Sequence, residues 1–432
     1  MGGLLAACVK GGTAASTLYH FGTIVNSEIH AGLTYSPNTL EVDLDAIANN
    51  VREVRRVIGP GPRMFAVLKG NALGFGAVEV ARTALANGAD SLSLVHVREA
   101  VRLREAGITA PILLYGGSLG DPAAVDLVER HDLTAAVVDL ESARLHSESA
   151  RKLVRIFVKV DAGLERLGVR AEDAVGVIQE ISRLPRISLD GVFTHLQVDG
   201  LYPSEPLDKD TPMSPALSWQ FSRFQSLLND LDRAGVRLPV AMAASSPVVR
   251  VSPDMHLTGV DTGRLIYGLI PEVPPVVEMD LRPAFRKLTS RLIQVKNVTR
   301  SAFVAEAGFA IRPDMRIGII PMGLADGLDL LTCGEVLIRG IRARVIGTFY
   351  EHARLDVTDV PDARAGDEVV VIGEQLGAKI TLQEVAHNQR IKMPGGVGSV
   401  GGLGAAVREG VRRVYLQASP ARLDQRVVAE RL

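Results

Sequence analysis

Phe65-Ala66-Val67-Leu68-Lys69-Gly70-Asn71-Ala72-Leu73-Gly74-Phe75-Gly76 is a short apolar run that ends on one lysine and passes at once into a glycine-rich turn. An apolar run of this length, followed by such a turn and then by a helical pattern, predicts a buried strand with the lysine at its carboxyl end. Lysines commonly flank strands with the stem buried and the ammonium in water, and that plain reading stands beside a chemical one. A lysine partly desolvated there can release its proton near neutral pH and form a Schiff base with an aldehyde, the linkage used by pyridoxal phosphate enzymes.

Outward from this stretch the chain alternates. Upstream, the strand-like Leu40 to Asp43 leads into a helix with Ile47, Val51, Val54 and Val57 on one face, capped by Asp43 or Asp45 and stopped at Gly59-Pro60. Downstream, apolar runs at 91–95, 112–115, 135–138, 154–160, 191–195 and 239–244 are separated by amphipathic stretches at 78–85, 97–105, 123–130, 142–152, 171–184 and 216–233. Near-continuous apolar strands between amphipathic helices predict a parallel sheet buried on both faces. The number of units predicts an α/β fold, a (β/α)8 TIM barrel over residues 39–280. From 281 to 432 the pattern changes to strands linked by Gly, Pro and Asp turns, predicting a mainly β C-terminal domain with a tail. The proline-bearing loop 202–215 reads either as a mobile cover for an active site or as a surface excursion, and the glycines of 394–404 predict a flexible loop.

Composition excludes several classes. The 432 residues carry a net charge of −1, so nothing electrostatic favours nucleic acid or an anionic membrane surface. The two cysteines, Cys8 and Cys333, have no metal-type spacing around them, and no metal is expected. Residues 1–38 form an N-terminal extension in which Lys10 interrupts a mildly apolar stretch, and neither a signal peptide nor a membrane span is expected. A cytoplasmic location follows by default.

The lysine stretch resembles the cofactor-lysine signature of the alanine racemase family, with Lys69, Asn71, Ala72, Gly74 and Gly76 in register. The resemblance extends over nearly all of residues 39–416, through Val-Lys-Val-Asp-Ala-Gly-Leu-Glu-Arg-Leu-Gly at 158–168, Phe-Thr-His-Leu at 193–196, Ala-Ala-Ser-Ser at 243–246, Tyr-Gly-Leu at 267–269, Gly-Leu-Ala-Asp-Gly at 323–327 and Arg-Arg-Val-Tyr at 412–415. It implies a homodimeric enzyme of the fold-type III class with pyridoxal 5'-phosphate (PLP) on Lys69 and an amino-acid substrate. In such dimers the β domain of one subunit completes the active site of the other. It further implies that Arg166 meets the substrate carboxylate, that Lys159 stands where some members carry a carbamylated lysine, and that His195 stacks on the pyridine. Cofactor binding extends by the same route to Ser245, Ser246, Gly263, Arg264 and Tyr267. Ser246 and the backbone around Gly263 would receive the phosphate, a small side chain letting main-chain N–H groups approach an anion.

Several positions depart from the family. Leu73 and Phe75 replace its tyrosine and histidine, and Ser245 replaces its asparagine. Asp261 stands where the family has an arginine against the pyridine nitrogen, and Asp261-Thr262-Gly263-Arg264 is similar to the Glu-Pro-Gly-Arg of barrel-type ornithine decarboxylases. A carboxylate there stabilises pyridinium and hence a carbanion, whereas arginine leaves the nitrogen unprotonated. The plain alternative is an aspartate capping a turn. Glu306 falls in register with the family's second, tyrosine base, with a surface carboxylate as its plain reading. The 347–354 segment replaces the family's substrate loop, and His352 and Arg354 point to a polar or anionic side chain rather than alanine. These readings give a racemase or epimerase using Lys69 and Glu306 on an amino acid other than alanine. Its competitors are a PLP lyase or transferase (decarboxylase, aldolase or eliminase type) exploiting Asp261, and a PLP-binding homologue without catalysis.

Overall fold

The structure, a computed structural model, describes residues 23–25, 36–116, 121–198, 215–269, 275–298, 305–306, 309–312, 314–327, 329–392 and 411–417. The loop 202–214, the glycine-rich 394–404 and most of the N-terminal extension lie outside the described residues. So does the side chain of Glu306.

Eight parallel strands close on themselves: β1 (Arg63–Val67), β2 (Ser91–Leu94), β3 (Ile112–Leu114), β4 (Thr134–Val137), β5 (Val154–Asp161), β6 (Ile187–Phe193), β7 (Val240–Ser245) and β8 (Gly259–Thr262). Each pairs with its sequence neighbour, and β8 returns to β1 with Asp261 opposite Phe65 and Thr262 opposite Ala66. This is the closed eight-stranded TIM barrel expected from the alternation.

Alternation of side chains along each strand sorts the core into two shells. Met64 and Ala66 of β1 pack outward into the large cluster shared with the helices, while Phe65 joins Leu113, Ala136, Phe157, Phe193, Val240 and Met242 in a separate cluster filling the lumen. The same parity carried two residues further brings Tyr115, Lys159 and His195 to the inner face above this layer.

The first helix, Leu44–Ile58, starts as the sequence predicts: Asp43 is the N-cap, its Oδ1 accepting the Ala46 N–H at 2.8 Å. The strand before it departs from expectation. Thr39–Asp43, assigned from sequence to the barrel half, pairs antiparallel with Phe285–Arg291 and parallel with Arg412–Gln417, in the sheet of the C-terminal half. Leu40 and Val42 are fully buried there, in the continuous core that runs from the barrel helices into this sheet. That half is mainly β, with the sheet continuing through Glu368–Gln375, Glu335–Ile338, Ile341–Thr348, Ala353–Asp356, Arg316–Ile320 and Gln294–Asn297. Two helices, Leu330–Cys333 and Leu382–Lys392, interrupt the expected run of strands. Glu335–Ile338 and Ile341–Thr348 pair as a hairpin folded back at Arg339 and Gly340, both with positive φ. None of the described helices is long and apolar enough to cross a membrane.

Candidate active site at the barrel mouth

The opening stretch folds into a left-handed turn. After β1, Gly70, Asn71, Ala72 and Leu73 all adopt φ between 53° and 64°, and Gly74 follows at 87°. Three of the five are not glycine, and each such residue costs roughly 1–2 kcal/mol in this conformation. A dense set of bonds holds them. Ala72 N–H donates to Leu68 O at 2.7 Å, Asn71 N–H to Glu99 Oε1 at 2.8 Å, and Asn71 Oδ1 accepts from Ala77 N at 2.9 Å. The C-terminal strand braces the outside, with Arg413 Nε donating to Gly74 O at 2.9 Å. A Cβ added to Gly76, at φ +98°, would lie 1.9 Å from the Tyr415 hydroxyl oxygen. Strain held this firmly beside a reactive residue is a mark of functional sites. It presents Lys69, which is exposed in this chain. The desolvation expected from its strand-end position is therefore not supplied by this chain.

Phe75 explains itself by packing. It is fully buried, stacked on Tyr267 with ring centroids 5.0 Å apart and edge-on to Phe285 at 6.3 Å. Tyr267, read as a cofactor residue, is likewise fully buried, and its hydroxyl donates to Val67 O at 2.8 Å. Its hydrogen bond goes to the strand that carries Lys69, so it supports the lysine from beneath. Truncating Phe75 to alanine should cost about 3–5 kcal/mol, as for other buried aromatic rings. Urea unfolding would show this as a lower midpoint at unchanged slope.

Around the lumen the other candidates converge. Tyr115 donates its hydroxyl to Asp261 Oδ2 at 3.1 Å. Burial pushes the Asp261 carboxyl above its ordinary value, while the Lys159 charge, the Tyr115 hydroxyl and Lys69 pull the other way. Lys159 is 9% exposed, its Nζ 4.4 Å from the centroid of the Phe193 ring. Burial lowers its pKa, opposed by Asp261 and reinforced by Arg166. His195 is pushed down to about 3, first by burial and then by Lys159, Arg166 and Lys69, so its imidazole is neutral at physiological pH.

Arg166 rides on a turn built by Asp161, whose Oδ1 accepts the N–H groups of Gly163, Leu164 and Glu165 and whose Oδ2 accepts that of Arg166 at 2.8 Å. Burial works to raise the Asp161 carboxyl, but these four bonds prevail and hold it below its usual range. The Arg166 guanidinium is left exposed at the mouth.

Ser246 Oγ accepts from Gly263 N at 2.9 Å and from Leu265 N at 3.4 Å. With both lone pairs engaged, its proton is the part left to donate. Gly263 has negative φ, and an added Cβ would meet only Val67, at 3.6 Å. Neither backbone conformation nor packing requires glycine there, and close approach by a ligand is a reason that remains. Ser245 is buried beside Ser246, and Arg264 is half-buried on the turn after Gly263. Lysine, Tyr115-bonded carboxylate, neutral imidazole and hydroxyl–glycine cradle together fit a phosphorylated pyridine aldehyde.

The remaining candidates lie in the β domain. Glu306 pairs with Phe309 in a short hairpin. His352 stacks on Phe349 at 4.8 Å, and the Arg354 guanidinium lies 5.0 Å from the same ring. Phe349 O and Tyr350 O accept the N–H groups of Leu324 and Ala325, tying this loop to the 323–327 turn. Sequence reasoning missed Tyr115, Phe193 and Asp161 as site residues. The parity of β3, β5 and β6 was the signal that could have found them.

Comparison with known proteins agrees with this geometry. The family model for the alanine racemase N-terminal domain matches residues 42–271, and that for the C-terminal domain matches residues 285–393. An alanine racemase of Methanococcus maripaludis is 35% identical over 81% of this chain and 93% of its own length. Alanine racemase 2 of Caldanaerobacter subterraneus is 34% identical over 82% and 90%. Among solved structures, alanine racemase of Bacillus anthracis with bound L-Ala-P superposes with a TM-score of 0.77 at 27% identity, covering 89% of this chain and 96% of that one. The enzyme from the D-cycloserine producer Streptomyces lavendulae gives 0.75 at 28% identity, over 89% and 98%. With its lysine turn, its barrel and its β domain all accounted for, the chain belongs to the alanine racemase family of PLP-dependent enzymes.

Proposed function

We propose that this chain is a cytoplasmic, homodimeric amino-acid racemase that moves the α-proton of an amino acid other than alanine. The observation that carries the reading is Lys69, presented at the barrel mouth by the left-handed turn that follows β1, in a chain of the alanine racemase family. When bound, PLP supplies an aldehyde that captures the substrate amine and a pyridine ring that withdraws electrons from the α-carbon. Lys69 holds the cofactor and moves a proton on one face. Glu306 of the β domain supplies the second base, and a glutamate in a partly apolar site can take that role at a gain of about 10²- to 10⁴-fold. Arg166 receives the substrate carboxylate, whose planar geometry its guanidinium matches. Ser246, Ser245, Gly263 and Arg264 receive the phosphate, and His195 offers a neutral flat ring to the pyridine. His352 and Arg354, set about Phe349, shape the substrate end, Arg354 with a positive charge and His352 with a polar ring, where alanine would need neither.

The Asp261 carboxylate favours a second reading. An electron sink strengthened at the ring nitrogen suits decarboxylation, aldol cleavage or elimination, with Lys69 alone moving protons. Incubating single amino acids with the enzyme in deuterated water separates the two. Racemisation incorporates α-deuterium with loss of chirality. A lyase retains chirality and releases CO₂, ammonia or an aldehyde. Under the racemase reading Glu306→Gln lowers racemisation by about 10²-fold or more. Unchanged racemisation in that variant would remove Glu306 from the mechanism.

A further inference from the structure

We propose that Tyr115 and Lys159 are positioning residues for the Asp261 carboxylate. The Tyr115 hydroxyl fixes Oδ2, Lys159 stays a free ammonium over the Phe193 ring, and together they keep the carboxylate charged with Oδ1 turned to the cofactor's ring nitrogen. The inference rests on the reading of Asp261 as the partner of that nitrogen.

Three observations support it. Tyr115 is held from two sides: its ring lies against Phe193, with centroids 5.3 Å apart, and its hydroxyl, which Ser93 also meets, reaches Asp261 Oδ2 at 3.1 Å. Phe193 also carries Lys159, whose Nζ stands 4.4 Å above the ring centroid. An aromatic face is the negative side of the ring quadrupole, so it attracts an ammonium and repels an anion. A carbamate on Lys159 would turn attraction into repulsion there, and would set a second negative charge near Asp261. Lys159 therefore departs from the carbamylated role implied by the resemblance. The other charged or titratable groups around the cluster are Lys69, Arg166, Asp161 and His195. Burial drives Asp261 toward its protonated form, and the opposing effects come first from Lys159 and then from Tyr115. With these in place the shared proton resides on the ring nitrogen. Without one of them it shifts to Asp261 Oδ1, the nitrogen keeping its lone pair as acceptor.

The test reads the ring directly, by ¹⁵N NMR of holoenzyme reconstituted with ¹⁵N-labelled PLP. Wild type is expected to give a pyridinium signal, and Tyr115→Phe and Lys159→Met to move it toward unprotonated pyridine, the protonated-to-unprotonated ratio falling about tenfold or more. Lys159→Arg, which keeps the charge, should retain the pyridinium signal. Supplying ¹³C-bicarbonate should give no carbamate resonance. A pyridinium signal unchanged in Tyr115→Phe and Lys159→Met, or a carbamate on Lys159, would overturn the inference while leaving Asp261 as ring partner. An unprotonated ring already in wild type would instead overturn the reading of Asp261 itself.

Discussion

Replacing Lys69 with alanine is expected to abolish covalent attachment of PLP and to reduce turnover below detection. Lys69 is exposed in this chain and sits just before the left-handed turn, outside the set of residues with positive φ. Its removal leaves the bonds that hold the turn intact, among them those from Ala72 to Leu68, Asn71 to Glu99 and Arg413 to Gly74. Stability should change by no more than about 0.5 kcal/mol, the ordinary range for a surface substitution. The chemistry has no such reserve. The proton-moving role alone is worth about 10²- to 10⁴-fold, and loss of the covalent link compounds it. Borohydride treatment followed by mass spectrometry gives the direct readout. Wild type is expected to retain the mass of a reduced cofactor and Lys69→Ala to retain none.

The second large effect is expected at Asp261. In Asp261→Asn the amide oxygen can still accept the Tyr115 hydroxyl, so the local geometry survives. A neutral amide does not stabilise a protonated ring nitrogen, and kcat should fall by about 10²-fold or more, the scale of losing one charge-stabilising group. Its stability signature runs with a definite sign. The folded-state pKa of Asp261 lies above its ordinary 3.8, toward about 6, because burial outweighs Lys159 and Tyr115. A raised folded pKa means that the group's contribution to stability is present in full below the unfolded value and is lost as pH rises through the folded one. The cofactor-free protein should therefore lose stability between about pH 4 and pH 6 on this account, and Asp261→Asn should remove that part of the slope. Thermal unfolding of the two proteins across that range gives the comparison.

Much of this was legible in the residues. Continuous apolar strands alternating with amphipathic helices are dictated by a sheet buried on both sides, and the barrel followed from them. Lys69 stands out because a lone lysine at the junction of an apolar run and a glycine turn interrupts both patterns; the pattern leaves it open between a snorkelling lysine and a Schiff-base one, and the cofactor role comes from the family motif. Thr39–Asp43 was not. A five-residue strand carries no mark of which sheet will take it, and its partners lie near 288 and 414, far along the chain. Tyr267 was assigned by its motif to the cofactor, but the motif does not encode that its hydroxyl is drawn to Val67 O. Tyr115 escaped for the complementary reason. On its own strand it reads as one more buried aromatic, and its meaning depends on Asp261, 146 residues away. Local pattern specifies elements and strand ends; which ends meet is set by closure of the barrel.

The substrate assignment is tested most directly by comparing kcat/KM for alanine with that for amino acids bearing polar or anionic side chains, in the same racemisation assay. The Arg354 charge and the His352 imidazole, both set beside Phe349, predict that at least one of these exceeds alanine by about tenfold or more. Alanine emerging as the best substrate of the series would contradict it.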